Sequence, residues 1–125
     1  MITAKIRFLA NRIMADLTCR GSELKHNIEE MGILTPPDLI KLDNARTLQI
    51  ELIPNGELGE QIYSLVNPKK DTLGTVQKVC RYAYCMNDRK KEIFSNDIQS
   101  GKIKNLQDGL AAAQKLYKQK DVQYR

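Results

Sequence analysis

Three cations and a ring lie close together in the stretch DTLGTVQKVCRYAYCMND, residues 71–88, and just beyond it: Lys78, Arg81, Tyr82 and Arg89. At about 100° per residue the cations fall on one side of a helix, with the Tyr82 ring beside Lys78. Cations next to a stacking ring are what proteins use to hold single-stranded nucleic acid. Lys69 and Lys70 precede the stretch, and Lys90 and Lys91 follow it, so the candidate nucleic-acid surface runs from Lys69 to Lys91. A solvated helix face is the plainer reading, because a helix must put its charge somewhere, and it is the preferred one.

Cys85 shares the cationic side, and Lys78, Arg81 and Arg89 could stabilise its thiolate as a nucleophile. No histidine base stands near it in sequence. His26, the single histidine, reads as a surface residue without the neighbours that a metal site or a catalytic pair needs. Cys80 falls on the apolar side and is expected in the core. On a helix Cys80 and Cys85 point about 140° apart, which rules out a shared zinc ion there. The carboxylate pairs Glu29/Glu30 and Glu57/Glu60 read as solvated. Gly56-x-x-Gly59 lacks the lysine and the strand-to-helix setting of a phosphate loop. The expectation is no metal, no cofactor and no small-molecule substrate. An enzyme with an activated Cys85 ranks third among the function classes considered.

The element that must carry these residues is a helix over 71–88. Leu73, Val76, Val79, Cys80, Ala83 and Tyr84 form a broad apolar arc, and Gly74 falls with the polar side. Asp71 is the expected N-terminal cap, and Asn87-Asp88 the expected end. Upstream, Ile2, Ile6, Leu9, Ile13 and Leu17 follow an i, i+3, i+4 rhythm that predicts a first helix over 2–17. Ser22 is placed as the cap of a second helix carrying Leu24, Ile28 and Met31, stopped by Gly32. Thr35-Pro36-Pro37-Asp38 reads as a helix start, with a third helix running to about Ala45. The second and third helices have the outline of a helix–turn–helix, but their connection is long for one, and an αα-hairpin without a DNA role is preferred.

At Thr47 the rhythm changes. Leu48, Ile50 and Leu52 alternate with Gln49 and Glu51, Pro54-Asn55-Gly56 supplies turn chemistry, and Leu58–Val66 is read as a return strand. That hairpin over 47–66 offers an unpaired edge, and Leu48, Ile50, Leu52, Ile62 and Tyr63 are the candidate partner-binding residues. Downstream, Ser95–Asn105 reads as a polar connection or short helix. Asn105 caps a last helix with the stripe Leu106, Leu110, Ala113, Tyr117, and the tail KQKDVQYR reads as exposed and a possible partner contact. The expected architecture is α+β, predominantly α, with about five helices and one inserted β-hairpin; an all-α bundle is the alternative.

Length predicts one domain spanning 1–125. The net charge of +5 is uneven: residues 1–67 hold seven Lys and Arg against nine Asp and Glu, while residues 68–125 hold thirteen against six. An acidic-leaning half followed by a basic one points to an acidic partner for the second half. Three irregularly spaced cysteines argue for free thiols in a reducing compartment, hence a cytoplasm, bacterial or of a host, with a phage- or plasmid-borne gene fitting the reading. No apolar run approaches a membrane span, and the charges within MITAKIRFLANRIMADL argue against a signal peptide. The leading functional expectation is a non-catalytic interaction module, a subunit or adaptor in a larger protein assembly that binds a protein partner or itself. The alternative is a nucleic-acid-binding protein using the basic half.

Overall fold

Two strands, rather than a helix, occupy the N-terminal segment. The computed structural model describes residues 1–43 and 47–119. In it β1 (Ile2–Phe8) turns through Leu9-Ala10 into β2 (Asn11–Asp16). Ile2, Ala4 and Ile6 are buried, while Lys5 and Arg7 on either side of Ile6 are exposed, so the operative period is two. Positions 2, 6 and 13 fit a helical stripe as well as a strand face, which is why the expected helix over 2–17 looked consistent. Two facts decide for the strand. β-Branched Ile2, Thr3 and Ile6 suit a pleated surface, and long-range pairing with another strand supplies hydrogen bonds that a lone helix would not need. The turn lacks the usual Asn-Gly chemistry; Leu9 itself takes a left-handed conformation at φ 55°.

α1 (Gly21–Glu30) begins one residue before the expected cap: Arg20, not Ser22, stands at the N-cap position. Leu24 and Ile28 are buried, and Gly32 takes φ 93° just past the end, where a left-handed residue closes a helix. The expected third helix does not form. Only a 3-10 turn, Pro37–Leu39, follows the prolines. Beyond it Ile40 is extended and Lys41 bridges to Thr72, with Ile40 and Leu42 buried and Lys41 exposed between them. Leu73 N–H donates to the Ile40 carbonyl, and Leu42 N–H to the Asp71 carbonyl, so this segment is held by the approach to a later helix. Ala45 lies outside the described residues.

β3 (Leu48–Pro54) forms where alternation predicted a strand. It pairs antiparallel with β1, giving the order β2-β1-β3. The return strand is instead α2 (Gly56–Ser64), with Ile62 fully buried. The hairpin is therefore at residues 2–16, not 47–66. Close packing explains the helix: a Cβ on Gly59 would lie 2.1 Å from the Met1 carbonyl oxygen, so glycine lets α2 press onto the start of β1.

Three capped helices complete the chain. In α3 (Leu73–Cys85) the Thr72 hydroxyl accepts from the Thr75 N–H. In α4 (Asp88–Gln99) the Asn87 side chain accepts from Lys90 N–H, and in α5 (Leu106–Lys118) Asn105 accepts from Asp108 N–H. Each cap satisfies an otherwise free donor of the first turn. Thr72 thus takes the capping role expected of Asp71. Asp71 is buried instead, accepting from Asn67 N–H and the Gln107 amide, and ties the α2–α3 connection to α5. The first five residues of the expected polar connection, Ser95–Gln99, are the end of α4, anchored by the fully buried Phe94. Gly74, expected on the polar side of α3, is buried where α3 meets Asp38.

Among the described residues, five α-helices with one three-stranded antiparallel sheet make the chain α+β and predominantly helical, as expected. The core lies between the helices and one face of the sheet, joining Ile2 and Ile6 to Leu24, Val76, Phe94 and Leu106. The opposite face of the sheet is left exposed. No helix among the described residues is long and apolar enough to cross a membrane. Of the expected tail over 118–125, Lys118 and Gln119 end α5 and are exposed, and residues 120–125 lie outside the described residues.

Candidate interaction surface

The register of the sheet determines which backbone groups of β3 are free. In an antiparallel pair, alternate residues exchange both hydrogen bonds with the neighbouring strand and the others point both groups away. Leu9 N–H donates to the Thr47 carbonyl, and Asn55 N–H to the Met1 carbonyl. With the register Thr3↔Ile53, Lys5↔Glu51 and Arg7↔Gln49 between them, the odd-numbered residues of β3 bond to β1. Leu48, Ile50 and Leu52 therefore turn their N–H and C=O groups to the open edge. Among the described residues no backbone bond reaches them. Pro54 ends the row, since it has no N–H to offer.

The same three residues point their side chains toward the helical layer. Leu48 is buried, while Ile50 and Leu52 are half-covered and border an open groove of about 550 Å³. Leu42, Tyr63 and Val66 line its other side. Of the five expected partner-binding residues, Ile50, Leu52 and Tyr63 meet at this groove. Leu48 presents its backbone alone. Ile62 is fully buried beneath α2 and has no part in the edge. The Tyr63 side chain is exposed next door, as is Ile53 on the outer face of the strand.

The expected nucleic-acid residues are dispersed, and most engage other parts of the fold. Lys69 and Lys70 are exposed in the turn before α3. The Lys78 ammonium pairs with the Asp38 carboxylate at 3.0 Å. Arg81 donates to the Thr18 carbonyl at 3.0 Å. Tyr82 meets Tyr117 of α5, with ring centroids 5.3 Å apart. Arg89 and Lys90 have partners within the fold, and Lys90 is buried with its ammonium donating to the Gln119 carbonyl. The Lys91 ammonium sits 5.9 Å from the centre of the Tyr84 ring. Helical phase puts cations on one side of α3, but the side chains then follow the nearest acceptor.

Cys19, Cys80 and Cys85 are free thiols. Burial pushes the Cys80 thiol up to about 12. Cys19 is also raised, by desolvation first and then by the nearby Glu23 and Asp16 carboxylates. Cys85 ends α3 and is exposed, while two of the cations expected to activate it, Lys78 and Arg81, are turned to Asp38 and Thr18. Among the described residues no group of three or more His, Cys, Asp or Glu side chains is placed to hold a metal ion. His26 lies on the surface against Glu30, one turn along α1.

The unpaired edge was expected at Leu48, Ile50 and Leu52, but within a hairpin over 47–66; the pairing that leaves it free is with β1, forty or more residues away in the chain. One feature escaped the sequence reading. A basic cluster on the outer face of the hairpin was hidden because that segment was read as a helix; the β-branched Ile2, Thr3 and Ile6 were the available signal. No protein-family model matches the sequence, and neither the comparison with curated proteins nor that with solved structures yields a match.

Proposed function

We propose that this chain is a non-catalytic interaction module that builds an assembly by strand addition at β3, and that the added strand is β3 of a second copy. The single observation behind this reading is the row of unpaired N–H and C=O groups on Leu48, Ile50 and Leu52, set above an apolar groove. Such an edge is a template for another strand. The sequence of β3 is compatible with itself in the antiparallel sense. About a two-fold axis at Ile50, Ile50 meets its own counterpart, Leu48 faces Leu52, and Gln49 faces Glu51. No like charges are opposed, and the outward groups are the ones that bond. The product would be a continuous six-stranded sheet. A ladder this short supplies little affinity alone, so a dissociation constant of about micromolar order is expected, with the groove side chains contributing most of it. The free thiols favour a reducing compartment, and we place the protein in a cytoplasm on that ground.

Light scattering over a wide concentration range tests this. The wild-type mass should rise from monomer to dimer. Ile50→Pro should hold the protein monomeric and folded, because the Ile50 N–H bonds to nothing in β1. Glu51→Pro is the contrast: it removes an N–H that does bond to β1, and should unfold the sheet. A wild type that stays monomeric throughout, or an Ile50→Pro variant that dimerises equally well, refutes the proposal.

A further inference from the structure

The outer face of the sheet carries a second, independent signal. On β1 it presents Thr3, Lys5 and Arg7, and on β2 Arg12, Met14 and Asp16. The Leu17 N–H donates to the Ile2 carbonyl, so the even-numbered residues of β1 form the hydrogen-bonded pairs with β2. Arg7↔Arg12 is therefore a non-hydrogen-bonded pair, the type with the closest side chains, at about 4.5 Å between Cα atoms. Like charges directly opposite each other oppose folding. Both arginines are exposed, and neither side chain has an ion-pair or hydrogen-bond partner among the described residues. The third residue in their row, on β3, is the neutral Gln49. Lys5 stands on the same face one row away, about 7 Å along the strand. Of the carboxylates on this face, Glu51 is opposite Lys5. Asp16 is at the far end, accepting from the Thr18 N–H and hydroxyl.

We infer that this face binds the phosphodiester backbone of a single nucleic-acid strand, with Arg7 and Arg12 together holding one phosphate and Lys5 meeting the next. Two guanidinium groups side by side match the oxygens of one phosphate in a forked arrangement. An anion between them turns a repulsive pair into a bridged one. The exposed face is three strands wide, about 10 Å, which suits one extended chain lying flat. Among the described residues it carries no aromatic ring to stack bases, so recognition rests on phosphates and is independent of sequence. An acidic polypeptide is the less favoured occupant. The face of a sheet offers a peptide no free backbone groups, and apolar anchors are limited to Met14 and Ile53. The site belongs to the half of the chain with the lower net charge, and it does not depend on strand addition at β3.

Fluorescence anisotropy with labelled mixed-sequence 20-mers of single-stranded DNA and RNA tests the inference, at low and at physiological salt. The wild type should bind with a steep salt dependence. The Arg7→Gln/Arg12→Gln double variant should lose about tenfold or more in affinity, and its log–log salt slope should flatten by about 0.7 for each phosphate released. Lys69→Gln/Lys70→Gln removes the same charge from an exposed turn and should stay within about twofold of wild type. The arginine variant should melt no lower than wild type, since a like-charge pair has been removed; the melt separates lost binding from lost fold. Arg7→Lys/Arg12→Lys should keep most of the slope. Equal losses in the arginine and lysine double variants would assign binding to net charge and overturn the site. Absence of wild-type binding at low salt, or displacement by polyglutamate more effective than by an unlabelled strand of equal charge, would overturn it as well.

Discussion

Charge at position 49 gives the sharpest check on β3 pairing, because monomer and dimer respond with opposite signs. In the proposed dimer residue 49 faces the partner's Glu51, and the two-fold axis creates that contact twice. Gln49→Glu sets two pairs of like charges opposite each other; Gln49→Lys sets two opposite-charge pairs. A directly opposed cross-strand pair is worth roughly 0.2–1 kcal/mol, so two give about 0.4–2 kcal/mol, or about a 2- to 30-fold change in the dimer dissociation constant. Within one chain the neighbour of Gln49 across the ladder is Arg7. Gln49→Glu should therefore steady the monomer while weakening the dimer, and Gln49→Lys should do the reverse. That opposition removes unfolding as an explanation for lost association. Sedimentation velocity across a concentration series, with thermal melts at dilutions where the protein is monomeric, reads both quantities. The contrast should shrink at high salt, because the pairs are at the surface. If both substitutions move the dissociation constant in one direction, or neither moves it beyond about 1.5-fold, the register centred on Ile50 is wrong.

Glycine substitutions test the close contacts that set the helices against the rest of the fold. A Cβ at Gly59 would lie 2.1 Å from the Met1 carbonyl oxygen, and one at Gly74 would lie 2.8 Å from the Asp38 backbone nitrogen. Each Gly→Ala change should cost about 2 kcal/mol in chemical denaturation despite the roughly 1 kcal/mol that alanine gains in a helix. At Gly109 the tightest neighbour is the end of the Leu65 side chain at 3.3 Å, which can yield, so Gly109→Ala should be neutral or stabilising. Alkaline stability tests Cys80. Its thiol is held up to about 12 in the folded chain against an ordinary value near 9. Above that ordinary value the unfolded chain loses a proton that the folded chain keeps, so stability should fall as pH rises from about 9. Cys80→Ala should make the fall shallower; an unchanged slope would show that Cys80 is not the group responsible.

Much of the helical framework was legible because it depends on local rules. Leu24 and Ile28, and the row of Leu73, Val76, Val79 and Cys80, carry the helical period and form α1 and α3. Asn105 is a cap whose effect is felt within one turn. β3 was legible because Leu48, Ile50 and Leu52 alternate with polar residues, a pattern with no helical counterpart. The segment 2–17 was ambiguous for the same kind of reason: apolar residues at 2, 6 and 13 satisfy either period. Leu58 and Ile62 kept the helical spacing, but the Asn55-Gly56 turn signal suggested a hairpin that α2 replaces. At the candidate surface, alternation pointed to Ile50, Leu52 and Tyr63, whereas Ile62 could be assigned to the interior only once α2 was known to be a helix.

What the sequence determined by itself, then, was the class of fold, the strand β3, and most of the core face of α1, α3 and α5, each encoded by residues a few positions apart; Tyr84 and Tyr117, expected on those faces, are exposed. Tertiary structure decided where the hairpin lies and which strand edge stays open, because strand pairing joins residues such as Thr3 and Ile53 that have no local relation. It also decided which cations remain free. Lys78 and Arg81 reach Asp38 and Thr18, forty and sixty-three residues away, while Arg7 and Arg12 are brought together with no acidic partner among the described residues. Composition counts charges, but only the folded chain places an acceptor within reach of each one.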